Sequence, residues 1–203
     1  MPDAITVLDR LHIICGQCTK CELGRGLAHK DYQSYNPHIP GWRDGLSPLA
    51  KIMLVGPGPS LDDTIEGQVL SGCDGKILDD VLDVVGGRYC IDRNHFYITN
   101  LIKCFGKKPT PGQIAECSIY LKHEIRIIKP RLVITLGSLA LRAFCPLVDP
   151  VSVLGKTTKS ELYGVRVFAT YHPSSVVDRD TREIFERHLG LVCEAMFRLE
   201  CPF

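Results

Sequence analysis

The chain has 203 residues, of which 45% are hydrophobic and 23% charged, and its formal net charge at pH 7 is +1. This size and composition predict one soluble domain with a substantial core and exclude a globally basic surface, so any nucleic-acid contact has to come from a local patch. No apolar run approaches the roughly 20 residues of a membrane-spanning helix, and the N-terminus lacks the pattern of a signal peptide. We therefore expect a cytoplasmic protein, nucleoid-associated if its host is a prokaryote.

Hydrophobic periodicity predicts strands that alternate with helices. Strands and helices in alternation imply a parallel sheet covered on both faces. The expected fold is α/β, a three-layer α/β/α sandwich with a four-stranded parallel sheet. In chain order the predicted elements are a helix at 5–15, an irregular arm at 22–48, a strand at 51–55, a helix at 76–85, a strand at 96–102, a helix at 111–129, a strand at 132–136, a helix at 138–144, a strand at 165–170 and a helix at 181–199.

Ten cysteines without a secretory signal favour metal or cluster ligation over disulfides. Cys18 and Cys21 form a CxxC pair, and Cys104 and Cys117 bracket a loop rich in Pro, Gly and Lys. Four thiolates that converge from separate segments suit an iron–sulfur cluster or, alternatively, zinc. Such a centre would fasten an N-terminal arm, about residues 1–48, to a single domain that spans 1–203. Cys15 extends the first pair to CxxCxxC and is a spare ligand.

Functional groups in such folds collect at the carboxyl ends of the strands. His172, in a His-Pro turn, is suited to donate a hydrogen bond to a departing group. Asn100 carries two amide donors and an acceptor, which suits it to the edge of a base. Asp62 and Asp63 are the acids nearest to the GPGPS turn. The alternative interpretations are structural: a turn cap for His172, a strand end for Asn100, and solvated or helix-capping roles for the aspartates.

Five motifs in order resemble the uracil-DNA glycosylase superfamily, in particular its iron–sulfur branch, families 4 and 5. The resemblance runs from about Cys18 to Val177. CTKCELGRG resembles the N-terminal cysteine segment of the family, and LVGPGPSLDDTIEGQVLSG resembles its first active-site motif. FYITNLIKC resembles the strand that carries an Asn and then a cluster Cys. EIRIIKPRLVITLGSLA resembles the third-strand signature, and TYHPSSVV resembles the final His-Pro motif.

The resemblance implies a monofunctional DNA glycosylase that hydrolyses the N-glycosidic bond of uracil, or of a related deaminated or modified base, in DNA repair. It implies a [4Fe–4S] cluster, or alternatively zinc, and DNA as the partner of a monomer. The site residues that it implies are catalytic His172, Asn100, Asp62 and Asp63, a base pocket of Gly56, Pro57, Gly58, Pro59, Ser60 and Leu70, and cluster ligands Cys18, Cys21, Cys104 and Cys117.

The first motif departs from the family pattern. Pro57 stands where family 4 has an acid, and Gly58 stands where other branches place Asp or Asn. Leu70 replaces the Phe that stacks on the extruded base, and Val69 replaces the Pro before it. These departures leave two alternatives open. One is a catalytically degenerate protein that keeps the fold as a DNA-binding or inhibitory module, and the other is an enzyme that acts on a nucleotide or on RNA.

Two groups of residues are candidates for contact with phosphates. One is a basic patch beside the second cysteine pair, and the other follows the His-Pro turn. The first comprises Lys103, Lys107 and Lys108, and the second comprises Ser174, Ser175, Arg179 and Arg182.

Overall fold

The structure, a computed structural model, describes residues 4–25, 51–106 and 108–200. Short 3₁₀ turns in these ranges lie at Gly87–Tyr89, Arg93–His95 and Pro173–Ser175. The helices and strands in the described ranges are α1 (Ala4–Gly16), β1 (Ile52–Gly56), α2 (Leu61–Glu66), α3 (Cys73–Gly86), β2 (Phe96–Asn100), α4 (Pro111–Ile128), β3 (Leu132–Leu136), α5 (Ser138–Phe144), β4 (Thr157–Ser160), β5 (Val165–Thr170) and α6 (Arg179–Glu200).

The five strands of the described ranges form one sheet in the order β2-β1-β3-β5-β4. The first four are parallel, and Ile52 of β1 lies opposite both Phe96 of β2 and Leu132 of β3. The predicted four-stranded parallel arrangement is therefore confirmed, but the sheet has a fifth strand, because β4 pairs antiparallel with β5. The sequence of β4, TTKS, has no apolar run, since a mostly exposed edge strand does not need one.

Apolar side chains alternate between the two faces of the sheet, which produces the predicted three layers. Along β1, Met53 and Val55 enter a core shared with α1, α4 and α5, whereas Ile52 and Leu54 enter a core shared with α3 and α6. All four side chains are buried. A strand that is covered on both sides buries successive side chains on opposite faces, which explains why β1 is apolar throughout.

Local sequence fixes the ends of α4. Thr110 and Gln113 form a capping box, and Pro111 occupies the first turn, where its missing N–H is not needed. The helix ends at Ile128 because Lys129 has a φ of 51°. The predicted boundaries of this helix are therefore correct to one residue.

The predicted arm at 22–48 overlaps the described ranges only at 22–25, and the remainder lies outside them. Within the described part of the chain, no helix is both long enough and apolar enough to cross a membrane.

Candidate active site

Four loops lie together at the carboxyl end of the parallel strands. Gly56 ends β1, Asn100 ends β2, Gly137 follows β3, and His172 follows β5 by two residues. The amide of Gly137 donates to the carbonyl of Thr170 at 2.9 Å, which ties the third loop to the fourth. The predicted site residues of these loops therefore share one edge of the sheet.

Asn100 is held against a glycine. Its side chain is buried at 1% exposure, and its Oδ1 lies 2.3 Å from the position that a Cβ on Gly56 would occupy. Only a glycine at position 56 leaves room for this amide. The Nδ2 of Asn100 has no hydrogen-bond partner among the described residues, so a buried donor is available at this edge of the sheet.

The GPGPS turn is paired with the chain beyond β2. The carbonyl of Gly56 accepts from the amide of Leu101 at 2.8 Å, and the carbonyl of Pro57 accepts from the amide of Ile102 at 3.1 Å. The turn ends at Pro59, which is buried, and at Ser60, which caps α2. These bonds fix the backbone of the turn beside Asn100.

Asp63 organises the loop that follows. Its carboxylate accepts from the amide of Ser60 at 3.0 Å and from the amide of Ser71 at 2.8 Å, and it is buried at 2% exposure. The hydroxyl of Ser60 in turn accepts from the amide of Asp63. Asp62 is exposed, and its Oδ2 lies 2.5 Å from the position of a Cβ on Gly72. The two predicted acids therefore occupy different environments.

His172 caps the 3₁₀ turn Pro173–Ser175 and is oriented by it. Its Nδ1 accepts from the amide of Ser174 at 3.2 Å and lies 2.8 Å from the hydroxyl of the same serine. An Nδ1 that accepts leaves the proton of the neutral ring on Nε2. Burial lowers the pKa of His172, although Asp74 and Asp63 act in the opposite direction, and so favours this neutral form.

Asp74 is a residue that sequence analysis missed. It lies in the first turn of α3, and its Oδ2 is 3.9 Å from Nδ1 of His172. Burial raises the pKa of Asp74, and the nearby Asp63 and Asp62 add to the rise, whereas His172 opposes it. An acid in the first turn of a helix is common, since the helix dipole favours it there. Nothing in the sequence therefore distinguishes Asp74 from an ordinary helix-terminal acid.

Leu70 lies in the core behind the site. It is 3% exposed and belongs to the apolar cluster on the α3 and α6 face of the sheet. Its φ is 51°, and its carbonyl accepts from Arg93 at 2.9 Å. A base could stack on Leu70 only after this segment moves.

Comparison with known proteins identifies the family. A family model of the uracil DNA glycosylase superfamily matches residues 44–189. The type-4 uracil-DNA glycosylase of Archaeoglobus fulgidus is 32% identical over 190 residues, which cover 87% of this chain and 88% of the relative. The type-4 enzyme of Saccharolobus solfataricus is 30% identical over 200 residues, or 93% and 88%. The chain belongs to the uracil-DNA glycosylase superfamily.

A type-5 uracil-DNA glycosylase of Pyrobaculum aerophilum is 39% identical over 87 residues, which cover 38% of this chain and 36% of the relative. The resemblance drawn from five motifs, including its assignment to the branch of families 4 and 5, is thus confirmed. The names of these relatives also support the predicted class of enzyme, a DNA glycosylase.

The cysteines predicted as ligands line one cavity in this superfamily member. The cavity is bordered by Cys18 and Cys21 after α1, by Cys104 after β2, by Cys117 on α4, and also by Cys15. No group of three or more His, Cys, Asp or Glu side chains in the described ranges is arranged to hold a metal ion. Burial raises the pKa of Cys15 to about 12 and also raises the pKa of Cys104 and Cys117.

Lys103 lies in the interior, so its predicted place in a surface basic patch is wrong. It is 1% exposed, and its Nζ donates to Glu124 Oε2 at 2.7 Å and to the carbonyl of Asn100 at 2.8 Å. Its own amide donates to the sulfur of Cys117 at 3.2 Å. This lysine therefore contacts both the cysteine cavity and the residue that ends β2.

The other predicted phosphate contacts lie on the surface or outside the described residues. Lys108, Ser175 and Arg179 are exposed, and Arg179 donates to Glu183 one turn along α6 at 2.8 Å. Ser174 is exposed but is already bonded to His172. Lys107 lies outside the described residues.

Proposed function

We propose that this protein is a DNA glycosylase that hydrolyses the N-glycosidic bond of uracil, or of a related deaminated base, in DNA. The observation that carries the proposal is the buried Nδ2 of Asn100, which has no hydrogen-bond partner among the described residues. A buried donor that lacks a partner costs about 1 to 3 kcal/mol, so its presence at the loop edge of the sheet favours a ligand that completes it. Two relatives that cover most of the chain are named type-4 uracil-DNA glycosylases.

The amide of Asn100 matches the edge of uracil. Uracil presents an acceptor, O4, beside a donor, N3–H, and the amide offers Nδ2 as donor and Oδ1 as acceptor. Cytosine presents the opposite pattern at both positions, a donor at N4 and an acceptor at N3. A base that is extruded from the helix is read in this way on its Watson–Crick edge. Asn100 is therefore proposed to select uracil over cytosine.

His172 is proposed to stabilise the departing base. When the bond from C1′ to the base nitrogen breaks, negative charge develops on the carbonyl oxygens of the base. The Nε2–H of the neutral ring is a donor that the bond from Ser174 to Nδ1 has already oriented. A donor fixed before the reaction stabilises such charge without further reorganisation.

The segment after His172 is proposed to face DNA. Val177 is 80% exposed and follows His172 by five residues, and an apolar side chain in this place can fill the gap that an extruded base leaves in the stack. Exposed Ser175, Arg179 and Lys108 are proposed to contact phosphates. With a net charge of only +1, few phosphates are neutralised, and each contributes a slope of about −0.9 to the logarithmic salt dependence of the binding constant.

The cysteine cavity is proposed to hold a [4Fe–4S] cluster, with zinc as the alternative. The donor set fits, because five thiols from three segments border one cavity, and thiolates are the usual ligands of both centres. Cys18, Cys21, Cys104 and Cys117 would be the ligands, and Cys15 remains a spare. The role of such a centre is to fasten α1 and the N-terminal arm to α4, in one domain that spans residues 1–203.

Purified protein should be brown, whereas colourless protein with stoichiometric zinc would overturn the iron assignment.

The test of the proposed function is excision from oligonucleotides that carry uracil, hypoxanthine or 5-hydroxymethyluracil, scored as abasic sites. We expect excision to be faster on single strands and mismatches, where extrusion costs less. His172→Ala should abolish most of the activity, and Asn100→Ala should slow excision and relax the choice of base. If the wild type binds DNA but cuts none of these substrates, the protein is the degenerate binding module instead.

A further inference from the structure

A carboxylate near the sugar would assist the proposed reaction, and three carboxylates are close together at the site. Hydrolysis places positive charge on the sugar and requires a water molecule to attack C1′. Asp62 and Asp63 of α2 lie near Asp74 of α3, and the Oδ2 of Asp74 is 3.9 Å from Nδ1 of His172. Their surroundings differ, and these differences indicate which one can serve the reaction.

The carboxylate of Asp63 has a structural role. Both of its carboxylate oxygens accept backbone hydrogen bonds, Oδ2 from Ser60 and Oδ1 from Ser71, and the hydroxyl of Ser71 lies 3.3 Å from Oδ1. At 2% exposure this carboxylate has little room for a water molecule as well. Its role is to hold the turn between α2 and α3.

Asp62 is exposed to solvent, where water screens its charge. Among the described residues it forms neither an ion pair nor a hydrogen bond with His172, whereas the Oδ2 of Asp74 lies 3.9 Å from Nδ1 of that ring. A carboxylate that has no contact with His172 and faces bulk water is poorly placed to act at the same reacting centre.

Asp74 differs from both. Its carboxylate is 27% exposed, so it is partly sheltered yet reachable by a water molecule. It lies in the first turn of α3, and this helix packs against the turn Pro173–Ser175 that orients His172. The 3.9 Å between its Oδ2 and Nδ1 of His172 is too long for a hydrogen bond. The two groups are therefore adjacent, and the carboxylate oxygen remains able to accept a hydrogen bond from water.

Resting on the proposed function, we infer that Asp74 is the catalytic carboxylate of this site and the charge partner of His172. In the step that we propose, the bond from C1′ to the base nitrogen breaks and its electron pair leaves with the base, which His172 Nε2–H stabilises. A water molecule held by Asp74 forms the new bond from oxygen to C1′, and its proton passes to the Asp74 carboxylate. Asp74 thus occupies the role for which sequence analysis nominated Asp62 and Asp63.

The first test is single-turnover excision of uracil from a single-stranded oligonucleotide by Asp74→Asn and Asp74→Glu. We expect Asp74→Asn to slow excision by about 100-fold or more, which is the usual contribution of a general base, and to leave the Kd for uncleaved DNA unchanged. Asp74→Glu should restore part of the rate because it restores the carboxylate. Asp80→Asn, on an exposed face of the same helix, is the matched control and should cut at the rate of the wild type.

The second test is independent of activity. The pKa of His172, followed by NMR, should fall in Asp74→Asn because a carboxylate that favours the charged ring is removed, and it should not change in Asp80→Asn. An unchanged His172 titration, or wild-type excision by Asp74→Asn, would overturn the inference. So would a loss of excision confined to Asp62→Asn. If the wild type excises no base, the proposed function fails, and the titration alone then decides whether Asp74 and His172 form a pair.

Discussion

At the scale of single residues, the proposed base-reading site depends on the glycine at position 56. Asn100 reaches its position because Gly56 has no Cβ, and the turn that contains Gly56 is held by backbone hydrogen bonds to Leu101 and Ile102. Displacement of either group is costly, because the amide is buried and the turn is held by these two backbone hydrogen bonds. The steric requirement at position 56 is therefore also a requirement of the proposed chemistry.

Gly56→Ala should damage activity more than it damages folding. The new methyl group would lie 2.3 Å from Oδ1 of Asn100 and would displace the amide. We expect kcat/KM for uracil excision to fall by at least about 100-fold, as misplaced groups cause, together with a measurable drop in Tm. Gly87→Ala is the control, because nothing lies within 4 Å of a Cβ there and its φ is −55°. Excision by Gly56→Ala at the rate of the wild type would remove Asn100 from the site.

Asp74→Asn should stabilise the protein at neutral pH. Burial raises the pKa of Asp74 in the folded protein above its value in the unfolded chain. The free energy of unfolding therefore decreases as the pH rises through the folded-state pKa, because the charged carboxylate is less favourable in the folded protein than in water. The substitution removes that loss. We expect a higher free energy of unfolding in urea at pH 7 and no gain at a pH where Asp74 is protonated in both states. Lower stability of Asp74→Asn at pH 7 would contradict the direction of the shift.

At the scale of elements, a buried ion pair joins β2 to α4. Lys103 and Glu124 are each 1% exposed and are 2.7 Å apart, and the hydroxyl of Thr99 bonds to both. The carboxylate of Glu124 also lies 3.9 Å from Nε2 of His12 on α1. Polar contacts within an otherwise apolar layer therefore link β2 of the sheet to the helices α1 and α4.

Removal of one partner should destabilise this layer far more than removal of both. Lys103→Met leaves the Glu124 carboxylate buried without its cation, which typically costs about 3 to 5 kcal/mol. The double variant Lys103→Met/Glu124→Leu leaves no such charge, so most of the loss should be recovered. Urea denaturation of both variants measures the difference. Equal destabilisation of the single and double variants would show that the pair matters for its shape and not for its charge.

The sequence predicts those elements that have a strong local signal. Four apolar runs predict the parallel strands, and Pro111 near the first turn together with Pro130 beyond the end predicts α4 to within one residue. The short helix α2 and the edge strand β4 were missed, because six residues and a polar TTKS segment carry no period. Asp74 was missed for another reason. It approaches His172 from a helix 98 positions earlier in the chain, and only the packing of α3 on the last loop brings them together.

At the scale of the whole molecule, the proposed centre would connect the first helix to the rest of the fold. Cys104→Ser should remove a ligand and, because binding free energy is also folding free energy, should lower Tm and the absorbance of the purified protein together. Cys90→Ser, which changes an exposed thiol, should alter neither. A Cys104→Ser protein with the colour and Tm of the wild type would exclude Cys104 as a ligand.

The position of α1 also matters for how the chain is made. Cys15, Cys18 and Cys21 leave the ribosome before Cys104 and Cys117, which complete their cavity, and Cys104 lies 83 positions after Cys21. At about 5 to 20 residues per second, this interval lasts roughly 4 to 17 seconds. During that time the first three thiols have no native partner to bury them. If the proposed centre is present, a reducing environment would have to protect these thiols until the later cysteines are made.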